Sequence, residues 1–185
     1  MPRLMPRSGR LVLVVGPSGA GKDTVLREAR RRLGHAPDIV FPRRVITRPP
    51  DPAEDHEPVS DDDFQRRAFA LSWSAHGLSY GIPASIAGDL DAGRIVVVNV
   101  SRAIVADARR RFPCFVVAVT AAPAILAARL AVRRRETAAE IGARLARAAA
   151  PVEADAVVAN ETTPEAAGAA FLGILLRCRD LPCLP

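Results

Sequence analysis

Residues 11–22 constrain the fold more than any other stretch of the chain. An apolar, β-branched run from Leu11 to Val15 leads directly into Gly16-Pro17-Ser18-Gly19-Ala20-Gly21-Lys22, and a helical pattern follows from about Lys22 to Leu33. The run is too short for a helix and apolar at every position, as in a parallel strand buried on both faces. Val25, Leu26 and Ala29 give the helix its apolar stripe and Gly34 stops it. A strand turning through glycines into a helix belongs to an open α/β sheet. The remainder agrees. Ile95 to Val100 and Phe115 to Thr120 read as buried strands, and Ala156 to Ala159 as a short one. Helices are expected over 102–112, 123–132, 137–150 and 164–176. Between the first two strands, Val45-Ile46 reads as an edge strand. Ser60 caps a short helix with Asp61, Asp62 and Asp63 at its positive end. Residues 68–82 look irregular, and Pro83 fits the first turn of a helix ending near Gly93.

The glycine turn has a chemical reading. Its glycines let the backbone curl so that several N–H groups face one anion, and the next helix adds the positive end of its dipole. Lys22 can then neutralise charge between the β- and γ-phosphates of a nucleotide. The motif needs a strand before it and a helix after it, and both are present. Lys22 is also the only lysine in the chain, all other basic residues being arginine. A compact ammonium on a flexible stem is what an arginine replaces poorly. The fold class expected is therefore α/β, a P-loop NTPase-type parallel sheet flanked by helices. Gly16, Pro17, Ser18, Gly19, Ala20, Gly21, Lys22, Asp23 and Thr24 are its candidate nucleotide-binding residues. Asp23 stands where such loops usually carry Ser or Thr. It either complements the helix N-terminus or supplies a carboxylate to Mg²⁺.

Composition bounds the alternatives. Hydrophobic residues make up 49 % of the 185, which excludes wholesale disorder, while aromatics are only 4 %, so the core is aliphatic. No apolar run approaches bilayer length and no signal-type segment precedes the first strand, so the expectation is a cytoplasmic protein without membrane contact. Cys114, Cys178 and Cys183 show no metal spacing. They read as reduced thiols, the last two in a ragged tail. The net charge of +6 and pI near 10.4 suit a nucleic-acid binder or a pocket for small polyanions. The scarcity of aromatic stacking residues and the spread of arginine along the chain argue against nucleic acid.

The chain resembles guanylate kinase and its relatives over roughly residues 10–176. The resemblance rests on the Gly16–Lys22 loop, on Ile46-Thr47-Arg48-Pro49, and on Val59-Ser60 with Phe64. It continues through His76-Gly77 with Tyr80-Gly81, then Arg129-Leu130, Arg133, Arg135 and Arg144-Leu145. Several positions depart from the guanylate pattern. Leu71 stands where a guanine-reading glutamate is expected, Asn99 and Ser101 replace an acidic pair, Asp51 replaces a second acceptor arginine, and His56 replaces a tyrosine. Losing carboxylates that accept from a base edge removes discrimination for that base. These departures match the ribose 1,5-bisphosphate phosphokinases. The chain is similar to them in Gly21-Lys22-Asp23, Glu54-Asp55-His56, Leu71 to Leu78, Asn99 to Arg102, and Glu140-Ile141 with Ala143 to Ala148.

The resemblance implies one domain over 8–178, with an acceptor-binding insertion at about 41–88, a mobile lid at about 130–147, and tails at 1–7 and 179–185. It implies transfer of the γ-phosphoryl group of ATP, with Mg²⁺, to a small sugar bisphosphate. Lys22, Arg133, Arg135 and Arg144 would serve the transferring group. Arg48, His56, His76, Tyr80, Asn99, Ser101 and Arg102 would hold the acceptor, and Asn160 would face the adenine. The competing expectations are a true guanylate kinase and a non-catalytic module of the same fold. The intact loop counts against the module.

Overall fold

The structure, a computed structural model, describes residues 9–50, 54–132 and 153–180. The described residues form two compact units, one built from 9–13, 36–50 and 54–114, the other from 14–35, 115–132 and 153–180.

Among the described residues, nine strands fall into two sheets. In the larger, β1 (Arg10–Val15), β2 (Ile39–Val40), β7 (Ile95–Asn99), β8 (Cys114–Thr120) and β9 (Ala156–Ala159) run in the order β2-β7-β1-β8-β9. Every residue of β1 and of β7 is buried. That burial is why these segments read as unbroken apolar runs and not as alternating ones. β2 pairs with β7 and β8 with β9 in parallel, with Ile39 beside Ile95 and Val117 beside Ala156. The helices that flank it in the second unit are α1 (Lys22–Leu33), α5 (Pro123–Val132) and α6 (Pro164–Asp180).

Helix α1 begins and ends on glycine. Gly21 and Gly34 both hold positive φ, which favours glycine, and the Gly34 N–H donates to Arg30 O. In α6, Ala167, Phe171, Ile174, Leu175 and Cys178 are buried. Their spacing marks one helical stripe. Cys178 thus belongs to the core and the helix reaches Asp180, which corrects the reading of a ragged tail from residue 179. Where α6 meets α1 there is no room for a side chain, since a Cβ at Gly168 would lie 2.5 Å from Cγ of Glu28.

The smaller sheet lies in the first unit. Its strands β3 (Arg44–Ile46), β4 (His56–Pro58), β5 (Phe69–Ala75) and β6 (Leu78–Pro83) run in the order β4-β3-β6-β5. The segment 68–82, expected to be irregular, is a β-hairpin. His76 and Gly77 are its two loop residues at φ 54 and 73, the twist that joins antiparallel strands tightly. β3 is internal to this sheet and not an edge. Pro83 ends β6, and α3 (Ile86–Asp91) starts three residues later. Helix α2 (Asp61–Gln65) has the expected cap, Ser60 Oγ accepting from Asp63 N at 3.1 Å. It seats Phe64 against Phe69 with ring centroids 4.4 Å apart. The helix expected over 102–112 opens instead with a 3-10 turn, Arg102–Ile104, before α4 (Val105–Arg111). The helix expected over 137–150 lies outside the described residues.

Candidate active site

In the second unit the loop between β1 and α1 is gripped through its carbonyl groups. Lys22 Nζ folds back and donates to Gly16 O at 2.9 Å and Pro17 O at 3.1 Å. Asn160, directly after β9, donates from Nδ2 to Ala20 O at 2.8 Å. Arg129 on α5 reaches Gly19 O at 3.4 Å, Ala20 O at 3.5 Å and Asn160 O at 3.0 Å. Carbonyls of four loop residues thus face side chains of the loop's own lysine, of α5 and of the β9 end. Such anchoring of the carbonyls holds the curl of the loop in place.

Two glycines are sterically required here. A Cβ at Gly16 would lie 2.2 Å from Val119 O, and one at Gly21 would lie 2.5 Å from Asn160 Nδ2. Asn160 is 3 % exposed, and its Oδ1 is buried without a hydrogen-bond partner. A buried amide oxygen of this kind needs a donor.

In the first unit the expected acceptor residues gather around the smaller sheet. Ile46 pairs with Tyr80 and Tyr80 with Trp73, so these three share one sheet face with Arg44, two residues before Ile46. The Trp73 and Tyr80 rings stack at 5.3 Å, nearly parallel. Arg48 lies just past β3 and lines a cleft of about 420 Å³ with Thr47, Pro49, Ser60, Asp63 and Arg67. The Thr47 hydroxyl accepts from Ser79 N at 2.9 Å, which ties the Arg48 segment to β6.

Glu54 organises the arginines. Its Oε2 accepts from Arg48 Nη2 at 2.5 Å and its Oε1 from Arg44 Nη2, while Arg44 Nη1 donates to Asn99 O at 3.2 Å. Asn99 is 7 % exposed at the end of β7. Ser101 Oγ accepts from Ala103 N and so starts the turn that carries Arg102. Ends of parallel strands are where α/β proteins bind ligands.

The two histidines expected at the acceptor lie in different surroundings. His56 is 3 % exposed, and its Nδ1 and Nε2 lie 3.1 Å from Glu54 O and 3.2 Å from Arg48 O. Its ring thus sits between backbone carbonyls on either side of the arginine cluster. His76 is exposed at the hairpin tip, set there by turn geometry. Arg133, Arg135 and Arg144 lie outside the described residues, as does most of the expected lid.

Arg44, Glu54 and Arg129 were not singled out as site residues from the sequence. Glu54 and Arg129 sat within recognised motifs. Arg44 carried no signal beyond its place two residues before Ile46.

Among the described residues no three His, Cys, Asp or Glu side chains cluster as a metal site. A Mg²⁺ ion that keeps its waters and takes its other ligands from phosphate oxygens needs only one or two protein groups. Asp23 and Thr24, beginning α1 beside Lys22, fit that modest demand. Among the described residues no helix is long and apolar enough to cross a membrane.

Comparison with known proteins bears on these features. No protein-family model matches the chain. It is 99 % identical over 181 residues to ribose 1,5-bisphosphate phosphokinase PhnN of Acidiphilium cryptum (strain JF-5), covering 98 % of this chain and all of that one. It is 49 % identical over 159 residues to the protein of the same name from Bradyrhizobium diazoefficiens, covering 82 % and 80 % of the two chains. Among solved structures it resembles guanylate kinase from Anaplasma phagocytophilum, with a TM-score of 0.64 and 19 % identity over 96 % of this chain and 89 % of that one. That likeness establishes the fold. Identity at the level of the two named relatives, across most of their length, places the chain in the ribose 1,5-bisphosphate phosphokinase family.

Proposed function

We propose that the chain transfers the γ-phosphoryl group of ATP to the 1-phosphate of ribose 1,5-bisphosphate, giving 5-phospho-α-D-ribose 1-diphosphate and ADP. Near identity to a relative bearing that activity in its name carries the reading. The gripped loop in the second unit and the arginine cluster in the first support it. An ionised phosphate oxygen of the sugar attacks the γ-phosphorus in line. That bond forms as the bond to the β–γ bridging oxygen breaks, and ADP departs with the electron pair. The nucleophile is already deprotonated, so no general base is required. The protein's task is to position two polyanions and screen their repulsion.

Lys22 and backbone N–H groups of the Gly16–Lys22 loop, Pro17 having none, hold the donor phosphates, and Asp23 with Thr24 would hold Mg²⁺. Bound there, the ion supplies neutralisation of charge on the donor phosphates. Asn160 Oδ1 suits the amino group of adenine. Arg48 and Tyr80 hold an acceptor phosphate within the region 41–88, and Asn99, Ser101 and Arg102 complete that side. Arg133, Arg135 and Arg144 are assigned to the transferring group from the family resemblance, where a cation contributes ~10³–10⁵ in rate.

Incubation with ATP, Mg²⁺ and either ribose 1,5-bisphosphate or GMP, followed by ³¹P NMR, tests the reading. A sugar diphosphate and ADP are expected from the first and no GDP from the second. GDP without sugar diphosphate would replace this reading with guanylate kinase.

A further inference from the structure

We propose that Glu54 is the positioning residue of the acceptor site, fixing the guanidinium of Arg48 in the orientation that grips a phosphate. The inference rests on the function proposed above and extends it to a residue that need not touch substrate.

A guanidinium recognises phosphate through a planar fork, so its orientation matters as much as its charge. Arg48 lies beyond the end of β3, where no strand pairing sets its side chain. Glu54 supplies the constraint. One carboxylate oxygen takes Arg48 Nη2, and the other takes Arg44 Nη2. Arg44 in turn donates from Nη1 to Asn99 O at the end of β7. A continuous chain of hydrogen bonds therefore runs from the last residue of β7, through Arg44 and Glu54, to Arg48. The side chains concerned are 12 % (Arg44), 16 % (Glu54) and 25 % (Arg48) exposed. Such partly desolvated charge pairs hold geometry better than exposed ones. The neighbouring backbone is packed as well, with the buried His56 ring lying between Arg48 O and Glu54 O.

The arrangement also explains why a glutamate is needed. An aspartate is one methylene shorter and cannot keep both guanidiniums from the same backbone position. A glutamine keeps the volume but turns an NH₂ toward one guanidinium, leaving two donors face to face.

The test is steady-state kinetics of Glu54→Gln and Arg44→Met, singly and combined, with the KM for each substrate measured separately alongside thermal unfolding. Glu54→Gln is expected to raise the KM for ribose 1,5-bisphosphate by about 10- to 100-fold, the weight of one or two hydrogen bonds to a charged group. The KM for ATP should stay within about twofold, and the midpoint of unfolding should stay near the parent's. The two substitutions should combine with less than additive effect, since both act through one chain. An unshifted sugar KM in an active Glu54→Gln variant would overturn this inference alone. So would equal rises for both substrates accompanied by a lowered unfolding midpoint, the mark of a general structural role. A parent enzyme that forms no diphosphate from the sugar would overturn the proposed function and this inference with it.

Discussion

At the residue scale, nucleotide binding depends on how closely Gly21 and Asn160 approach. Gly21 has φ 81, and any Cβ there would meet Asn160 Nδ2 at 2.5 Å. Alanine would thus face both a left-handed backbone, which costs about 1–2 kcal/mol, and displacement of the amide that holds Ala20 O. Gly21→Ala should therefore weaken ATP binding at least about tenfold, an affinity loss of ~1.4 kcal/mol or more, as read by calorimetric titration with ATP. Asn160→Ala removes the same anchor without backbone strain. Its affinity loss for ATP should be smaller, with folding retained. The arginine cluster shows why some site residues escaped the sequence. Arg44 and Glu54 are ten residues apart and meet across the β3–β4 region, where Arg44 pairs with His56. Strands of three residues have too little pattern to reveal such a pairing in advance.

At the element scale, the contact between α1 and α6 is the most sharply specified. Gly168 leaves room for the stem of Glu28, with Cβ and Cγ of that residue 2.7 and 2.5 Å from where a new methyl would sit. Neither atom is the free end of a flexible chain, so Gly168→Ala must push the helices apart. A loss of about 1–3 kcal/mol in unfolding free energy is expected, as for overpacked cores, measurable by urea denaturation. Glu28 also sets a pH dependence. Its carboxylate accepts from Arg31 Nε at 3.0 Å and from Arg32 Nε at 3.0 Å. Chiefly the Arg31 hydrogen bond lowers its pKa from an ordinary 4.5 to about 2. Because the folded value is the depressed one, the stabilisation is complete above the unfolded pKa and is lost as pH falls from about 4.5 toward about 2. The parent's advantage over Glu28→Gln in urea midpoint should therefore shrink across that window. Helix α1 was legible to the residue because glycines bound it on both sides. The β5–β6 hairpin was not. The alternation of Phe69, Leu71 and Trp73 with Ala70, Ser72 and Ser74 is a strand signal, but His76-Gly77 replaces the usual Asn-Gly turn, and a register shift between Phe69 and Leu71 blurs the period.

At the scale of the whole molecule, the sequence carried the larger sheet well and the smaller one poorly. Buried parallel strands such as β1 and β7 carry unbroken apolar runs, residues 11–15 and 95–98, so each declares itself locally. The smaller sheet is built from short, half-polar strands whose identity depends on partners distant in sequence. The same division holds for function. The loop of residues 16–22 is a local motif with one outcome, whereas the acceptor arginines depend on a network that only the folded chain assembles. The central claim is that a curl of backbone amides and a lone ammonium hold the donor phosphates for transfer. Its most direct test is the rate of ADP formation from ATP, Mg²⁺ and ribose 1,5-bisphosphate by the parent and by Lys22→Met. The variant should unfold at the parent's midpoint and turn over at least ~10³-fold more slowly, within the range expected when transition-state charge loses a dedicated cation. Turnover at the parent's rate by a folded Lys22→Met protein would contradict the account.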